Sequence, residues 1–414
     1  MKIRFGILAT LAMGATAAVG ISQAQPKPTE VSFVYGLGGE LGKAIETMIK
    51  AFNDSQKDVV VKGEFANSYE GVLQKALAGI AANQPAGDIL QLEVALWPRL
   101  AAAGAILDLS TMDGFKGTFD TFWPVFRRQA DPEGDGKVFA MPWNNSNPVM
   151  YFNPDLFAKA GIKTPPRTWP ELREAAKQIK AATGLPAVRM ESFPWVLEGA
   201  LFSNNAEMIR DGKLALNEPA ALEVIQNWVG FFRDGTAVVA NPATEADFAT
   251  GKIAVRFGSV ATRPGLKATA KFKFGTAPLP YFKRPTVPVG GATLAISKSI
   301  SPEKQAAAWR FMRWLAQPQQ QFEFIKMTNY VPITRTTLDL EAYKKFVGTE
   351  QGLDIGGRQL PFARPRPYHP AYPQVTQEII KTMEAMYLQN AAVEASVKDL
   401  VSRMNPVMEA AVRR

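Results

Sequence analysis

The chain has 414 residues, 47% of them hydrophobic and 21% charged, with a mean hydropathy of −0.08. That size and balance fit a globular chain of about two to three domains and exclude a disordered or membrane-embedded one. It holds no cysteine and a single histidine, His369, which excludes Cys/His zinc sites, iron–sulfur clusters and Cys-His nucleophile pairs. The formal charge is +9, but no dense Lys/Arg run interleaved with aromatics, and no RNP, KH or zinc-finger pattern, points to nucleic acid.

Residues 1–24 read as a secretory signal. Lys2 and Arg4 form its basic start, Phe5 to Ile21 its apolar stretch, and Ser22-Gln23-Ala24 a small-x-small cleavage site. No other run reaches the ~18 apolar residues of a membrane-spanning helix. With no cysteine to carry a lipid, the exported chain is expected free in the periplasm. Without Lys2 and Arg4 the balance is 45 basic against 38 acidic residues, +7, a mild surplus that favours an anionic small ligand slightly.

After the signal, Val31 to Tyr35 alternates as a strand, and Gly36-Leu37-Gly38-Gly39 turns into a helix whose Leu41, Ile45, Met48, Ile49 and Phe52 recur at helical spacing. The order repeats: a strand from Val59 to Phe65, a helix from Tyr69 to Ala82 carrying Leu73, Leu77 and Ile80, and a strand from Asp88 to Leu92. Such alternation predicts a parallel, doubly wound sheet with ligands beyond the carboxyl ends of the strands. Lys137 to Met141 and Pro148 to Phe152 read as strands, and Thr168-Trp169-Pro170-Glu171 opens a helix with a capping box. Helical stretches follow at Trp195 to Phe202, Ala220 to Phe232 and Glu245 to Ala249, with a short strand at Ala187-Val188-Arg189. The first texture returns at Gly275 to Pro280 and in the strand Ala292 to Ile296. Ser301-Pro302-Glu303 caps another helix, and proline-rich sequence from Pro361 to Pro373 precedes helices at Gln374 to Tyr387 and Val393 to Met404.

Three tempting motifs fail on their chemistry. Gly36-Leu37-Gly38-Gly39-Glu40-Leu41 lacks the third Gly or Ala of a dinucleotide fingerprint. Asp131-x-Glu133-x-Asp135-Gly136 starts like a calcium loop but has Pro142 where a bidentate Glu belongs. No pair of carboxylates has a spacing that singles it out for glycoside hydrolysis, and His369 reads as a lone loop histidine. The polar and aromatic residues at strand ends and lobe crossings are more informative: Tyr69, Glu93, Asn144, Asn145, Ser146, Trp195, Ser259, Gly290, Gly291, Tyr330 and Arg366. They describe a cleft of hydroxyl and amide donors with one carboxylate and one guanidinium, which is binding chemistry rather than proton-transfer chemistry.

Three segments, Asp135 to Pro142, Met150 to Gly161 and Pro166 to Leu172, resemble the landmarks of extracellular family 1 of the ABC-importer solute-binding proteins. Within that group Gly39-Glu40-Leu41-Gly42-Lys43, Asn144-Asn145-Ser146-Asn147-Pro148, Gly290-Gly291-Ala292 and Tyr330-Val331-Pro332-Ile333-Thr334 are similar to the glycerol-3-phosphate-binding branch. The resemblance implies an α/β, two-lobed fold of the type II periplasmic binding protein kind, with a hinge between the lobes. Residues 25–142 would form the first part of lobe 1, 143–274 the main part of lobe 2, 275–330 mainly the return to lobe 1, and 331–414 helices and loops completing both.

The same resemblance implies a binding protein rather than an enzyme. Its partners are the importer's membrane subunits and a small molecule, either a glycerol phosphate or glycerophosphodiester or, alternatively, a neutral sugar. It implies no cofactor, no metal and no nucleic acid. Carried over residue by residue, Tyr69 and Glu93 fall near the glycerol part of the ligand. Ser146, Trp195, Ser259, Gly291 and Tyr330 line the remainder, and Arg366 is the ligand arginine, with Arg364 as the alternative two residues away. A phosphate wants donors only, so Glu93 is expected at the far end of the cleft from Arg366. Hinge motion is expected at crossing strands near Met141 to Ser146 and Gly275 to Pro280.

Overall fold

The computed structural model describes Met1 and residues 27–412; apart from Met1, the expected signal segment and its cleavage site lie outside the described residues. Among the described residues no helix is long and apolar enough to cross a membrane. Two five-stranded sheets organise the chain. The first runs, edge to edge, Val59–Phe65, Thr29–Tyr35, Ile89–Glu93, Gly290–Ile296 and Met141–Ser146. The second runs Gly275–Pro278, Pro148–Phe152, Val255–Ser259, Val188–Met190 and Ala237–Val239.

The doubly wound expectation holds for the first three strands, which are parallel. It fails at Gly290–Ile296, antiparallel to both its neighbours, and at Pro148–Phe152, antiparallel to both of its own. The physical reason is direction of travel. Strands native to a lobe run outward and end where the two lobes meet, whereas a strand arriving from the other lobe begins there and runs away. Both sheets are therefore mixed. Their shared boundary collects the carboxyl ends of native strands and the amino ends of incoming ones.

The chain passes from the first sheet to the second between Ser146 and Pro148. The strand expected over Lys137 to Met141 begins later, at Met141, and runs on to Ser146, because Val138 is engaged by Asp108 and Leu109 instead. The return also comes later than expected. Gly275–Pro278 still belongs to the second sheet, paired with Pro148–Phe152, and the first sheet is rejoined only at Gly290. Residues 287–288 pair with 363–364, so the crossing expected near Gly275 to Pro280 lies around Val289.

Each lobe has its own aromatic core. In the first, Phe33 packs edge-on to Trp143 and Phe311, and Trp143 stacks on Phe324 at 4.9 Å. In the second, Trp169 meets Trp228 and Phe257 at 4.7 and 5.0 Å. The first helix, Gly39–Ser55, buries Ile45, Met48, Ile49 and Phe52, one face of the helix as read, while Leu41 is left half-exposed. Helix Tyr69–Ala81 buries Val72, Leu73 and Ala76, and Ile80, assigned to the same face, is exposed instead. Thr168 and Glu171 form the expected capping box of helix Trp169–Thr183. The last two helices, Tyr372–Leu388 and Val393–Val412, pack on Pro219–Arg233 of the second lobe, with Tyr387 stacked on Phe232 at 4.0 Å.

Asn147 fastens the first crossing. It is fully buried, donates from Nδ2 to the Gly356 carbonyl at 2.8 Å and accepts from Gln359 Nε2 at 2.9 Å. Gln359 also donates to Pro148 O and accepts from the Leu279 N–H, so one amide pair joins the outgoing strand, the end of Gly275–Pro278 and the C-terminal segment. Asn147→Ala removes the side-chain donor of the buried Gly356 carbonyl and one of the two acceptors of the buried Gln359 amide. It should lower the unfolding free energy by about 2 to 3 kcal/mol, measured by urea denaturation against Asn53→Ala, whose amide ties together Gly39–Ser55 and Val61 within one lobe.

Candidate functional site

Glu93, Ser146 and Ser259 are the last residues of their strands, Gly291 is the second residue of the returning strand, and Tyr69 and Trp195 are the first residues of helices that follow strands. Strand direction alone therefore brings them to the boundary between the lobes. Tyr330 and Arg366 reach the same place from the segments that follow the returning strand. All eight line a single cleft of about 580 Å³, together with Leu37, Leu41, Phe193 and Thr262 among others.

At one end of the cleft lies a buried charge cluster. Arg366 donates from Nε to Glu198 Oε2 and from Nη2 to Glu198 Oε1, both at 2.8 Å, and from Nη1 to Glu93. Tyr372 donates its hydroxyl to Glu198. The Arg366 side chain is 1% exposed, Glu198 0% and Glu93 13%; Glu93 and Arg366 border the cleft and Glu198 lies behind them. The Arg366 N–H donates to Gln129 Oε1 at 2.6 Å, and Pro365 and Pro367 on either side stiffen the strap. Phe193 and Tyr372 flank the guanidinium, their ring centroids 5.4 and 5.7 Å from its carbon. Burial pushes the Glu93 carboxyl up despite Arg366 beside it. Burial would lower the guanidinium, but Glu198 and Glu93 outweigh it and hold Arg366 well above its ordinary value.

Neutral donors make the other wall. Tyr69 accepts from Asn144 Nδ2 at 3.0 Å, and Asn144 is fixed in turn by Gln91, whose own carbonyl takes the Gly36 N–H. Burial and the neighbouring Tyr330 hydroxyl raise the Tyr69 phenol well above its usual value, so it stays a neutral hydroxyl. The Ser146 hydroxyl makes no hydrogen bond among the described residues, while Ser259 Oγ accepts from the Ala261 N–H at 3.1 Å. Trp195 is held edge-first: Nε1 donates to Val289 O at 2.9 Å, and the indole fills the space a Cβ on Gly290 would need. Gly291 has φ +81°, and a Cβ there would lie 2.0 Å from the Asn144 carbonyl, so no other residue fits.

One expectation is overturned. Glu93 and Arg366 do not occupy opposite ends; they are ion-paired at the same end, because a guanidinium sealed between two lobes needs carboxylates to compensate it. Arg364 points elsewhere, bonded to Glu207 at 2.9 Å and stacked over Phe202. His369 is buried, its Nδ1 accepting the Ala371 N–H at 3.1 Å, and burial lowers its pKa, so it is a neutral turn residue and not an exposed one. Glu198 and Gln129 were not anticipated. Glu198 had a visible signal: it is the single charge in the otherwise apolar run Trp195-Val196-Leu197-Glu198-Gly199-Ala200-Leu201-Phe202, and an ion in such a helix requires a buried partner. Among the described residues no group of carboxylates or histidine is arranged to hold a metal.

Two α/β lobes enclosing a polar cleft at their strand ends define a solute-binding protein. A family profile for bacterial extracellular solute-binding proteins matches residues 47–348, and the chain belongs to that family. Among curated relatives it is 29% identical to the sn-glycerol-3-phosphate-binding periplasmic protein UgpB of Agrobacterium fabrum, over 74% of each chain. To the protein of the same name from Yersinia pestis it is 27% identical, over 91% of each. Among solved structures it superposes on UgpB from Mycobacterium tuberculosis in complex with glycerophosphocholine with a TM-score of 0.84, at 24% identity over 92% of this chain and 99% of that one. The cyclic alpha-maltosyl-1,6-maltose binding protein from Arthrobacter globiformis gives a TM-score of 0.79 at 24% identity, over 92% and 100%.

Removing the guanidinium strands two buried carboxylates. Arg366→Ala should cost about 3 to 5 kcal/mol of folding stability, seen as a lower urea midpoint without ligand. Arg364→Ala, whose partners are only part-buried, should cost about 1 kcal/mol or less.

Proposed function

We propose that this protein captures a glycerol phosphate ester, a glycerophosphodiester in preference to sn-glycerol 3-phosphate itself. We further propose that it is exported, works free in the periplasm and hands its ligand to the membrane subunits of an ABC importer. The observation that carries the ligand reading is the charge inventory of the cleft. Among the described residues lining it, Arg366 is the only basic one, and it is already matched by Glu93 and Glu198. A phosphate monoester brings close to two negative charges near neutral pH and would find no free cation. A diester brings one, which neutral hydroxyls and a backbone N–H can solvate.

The ends of such a ligand then have natural seats. Vicinal hydroxyls donate to Glu93 and accept from the N–H bonds Arg366 has left, while Ser146, Ser259, Tyr330 and the Gly291 N–H face the phosphate. The names of the relatives, and the glycerophosphocholine held by one of them, support this class. Closure of the lobes about the crossings at Asn147 and Val289 would complete capture and present a two-lobe surface to the importer.

A neutral oligosaccharide is the second reading, favoured by the rings of Phe193 and Trp195 on the cleft wall. Calorimetry on residues 25–414 with glycerophosphocholine, sn-glycerol 3-phosphate and maltose separates the two. The first reading expects glycerophosphocholine to bind tightest, at about micromolar strength or roughly 8 kcal/mol, with compaction in solution scattering and the ligand recovered intact after hours. Tightest binding of maltose, lost in Trp195→Ala, would establish the sugar reading in its place.

A further inference from the structure

Glu198 touches no part of the cleft, yet it faces the one guanidinium that does. Its carboxylate is completely buried, bidentate on Arg366 and capped by Tyr372. Arg366 needs one negative charge for neutrality and receives two, from Glu93 at the end of a first-lobe strand and from Glu198 in a second-lobe helix. The end of the cleft therefore carries a net negative charge although Arg366, the only basic residue among its described lining residues, points there. Glu70 at the cleft wall adds to it, while Glu40 is paired with Lys43 at 2.7 Å.

We propose that Glu198 is a specificity-determining residue that sets the charge of the cleft, and that by spending the Arg366 charge from behind it excludes phosphate dianions while admitting monoanionic and zwitterionic esters. This rests on the phosphate-ester reading above and adds to it the residue responsible. Glu93 alone would leave the pair neutral and the guanidinium attractive to a dianion. The second carboxylate tips the balance, and a net charge held on groups this buried is weakly screened and reaches the phosphate seat further along the cleft. Glu198 is a positioning residue as well, since its two oxygens fix the plane of the guanidinium. Charge and position are separable by substitution.

The test is the ratio of two dissociation constants, for sn-glycerol 3-phosphate and for glycerophosphocholine, measured by calorimetry at one pH and salt. Both ligands carry the same glycerol, so damage at the glycerol seat cancels in the ratio. Glu198→Gln keeps the shape and removes the charge, and should shift the ratio toward glycerol 3-phosphate by about tenfold or more. Glu198→Asp keeps the charge on a shorter arm, and should retain the wild-type ratio even while both affinities fall. An unchanged ratio in folded Glu198→Gln overturns the proposal, as does an equal shift in Glu198→Asp. If near-ultraviolet circular dichroism shows that Glu198→Gln does not fold, Glu93→Gln removes the same unit of charge from the partly exposed side of Arg366, and an unchanged ratio there is equally fatal. Should the wild-type protein bind neither ester but bind maltose, the phosphate-ester reading has failed by itself. The charge proposal is then decided by the same ratio for maltose 1-phosphate against maltose.

Discussion

Putting an arginine between two lobes that must meet is costly unless carboxylates come to it, and the geometry around Arg366 follows from that requirement. Glu93 is delivered by the carboxyl end of a central strand, Glu198 by the first turn of a helix in the opposite lobe, and Arg366 by a proline-stiffened strap between them. Gln129 and Tyr372 then hold the strap and the second carboxylate in place. A buried ion cluster of this kind adds little net stability compared with a well-packed apolar one. Its worth is registry: with four oxygen and nitrogen partners specified, the lobes have few other ways to face each other.

The same cluster leaves the cleft without a free cation among its described lining residues. With Arg366 paired, hydroxyls, backbone N–H groups and aromatic rings are what the cleft offers a ligand beside its carboxylates. Their positions are held from behind. The chain Gly36–Gln91–Asn144–Tyr69 is a row of hydrogen bonds running across the first sheet, and Trp195 is pinned by Val289 and by the missing side chain of Gly290. Such pre-organisation lowers the entropic cost of binding.

Much of this was legible in the sequence, and the reason is local chemistry. Helical spacing at Ile45, Met48, Ile49 and Phe52, the capping box at Thr168 and Glu171, and the strand that closes beside Glu93 are all set by nearest neighbours. The resemblance to a known family then placed Tyr330 and Arg366 in the same cleft as Tyr69 and Glu93. What could not be read was pairing across long distances. The mixed direction of both sheets, the late return at Gly290, and the meeting of Glu93 with Arg366, 273 residues on, depend on how two lobes close over each other. The phosphate argument that set Glu93 and Arg366 apart was sound for an isolated guanidinium. It failed because Glu198 had already consumed that guanidinium.

The order of strands in the first sheet also governs how the chain can assemble. Gly290–Ile296 lies between Ile89–Glu93 and Met141–Ser146, so the last strand to arrive fills the middle of the sheet and not its edge. The whole second sheet, 148–278, intervenes in the sequence, and its strands are contiguous. The first lobe must therefore wait as two unjoined halves, held by the local pairings of residues 29–93, until a loop of well over a hundred residues has closed. Closure of such a loop is slow and rewards the chain only at the end. The cleft floor comes into being with that insertion, since Glu93 acquires Ala292 and Ser146 acquires Gly290, two residues of one strand, in the same event.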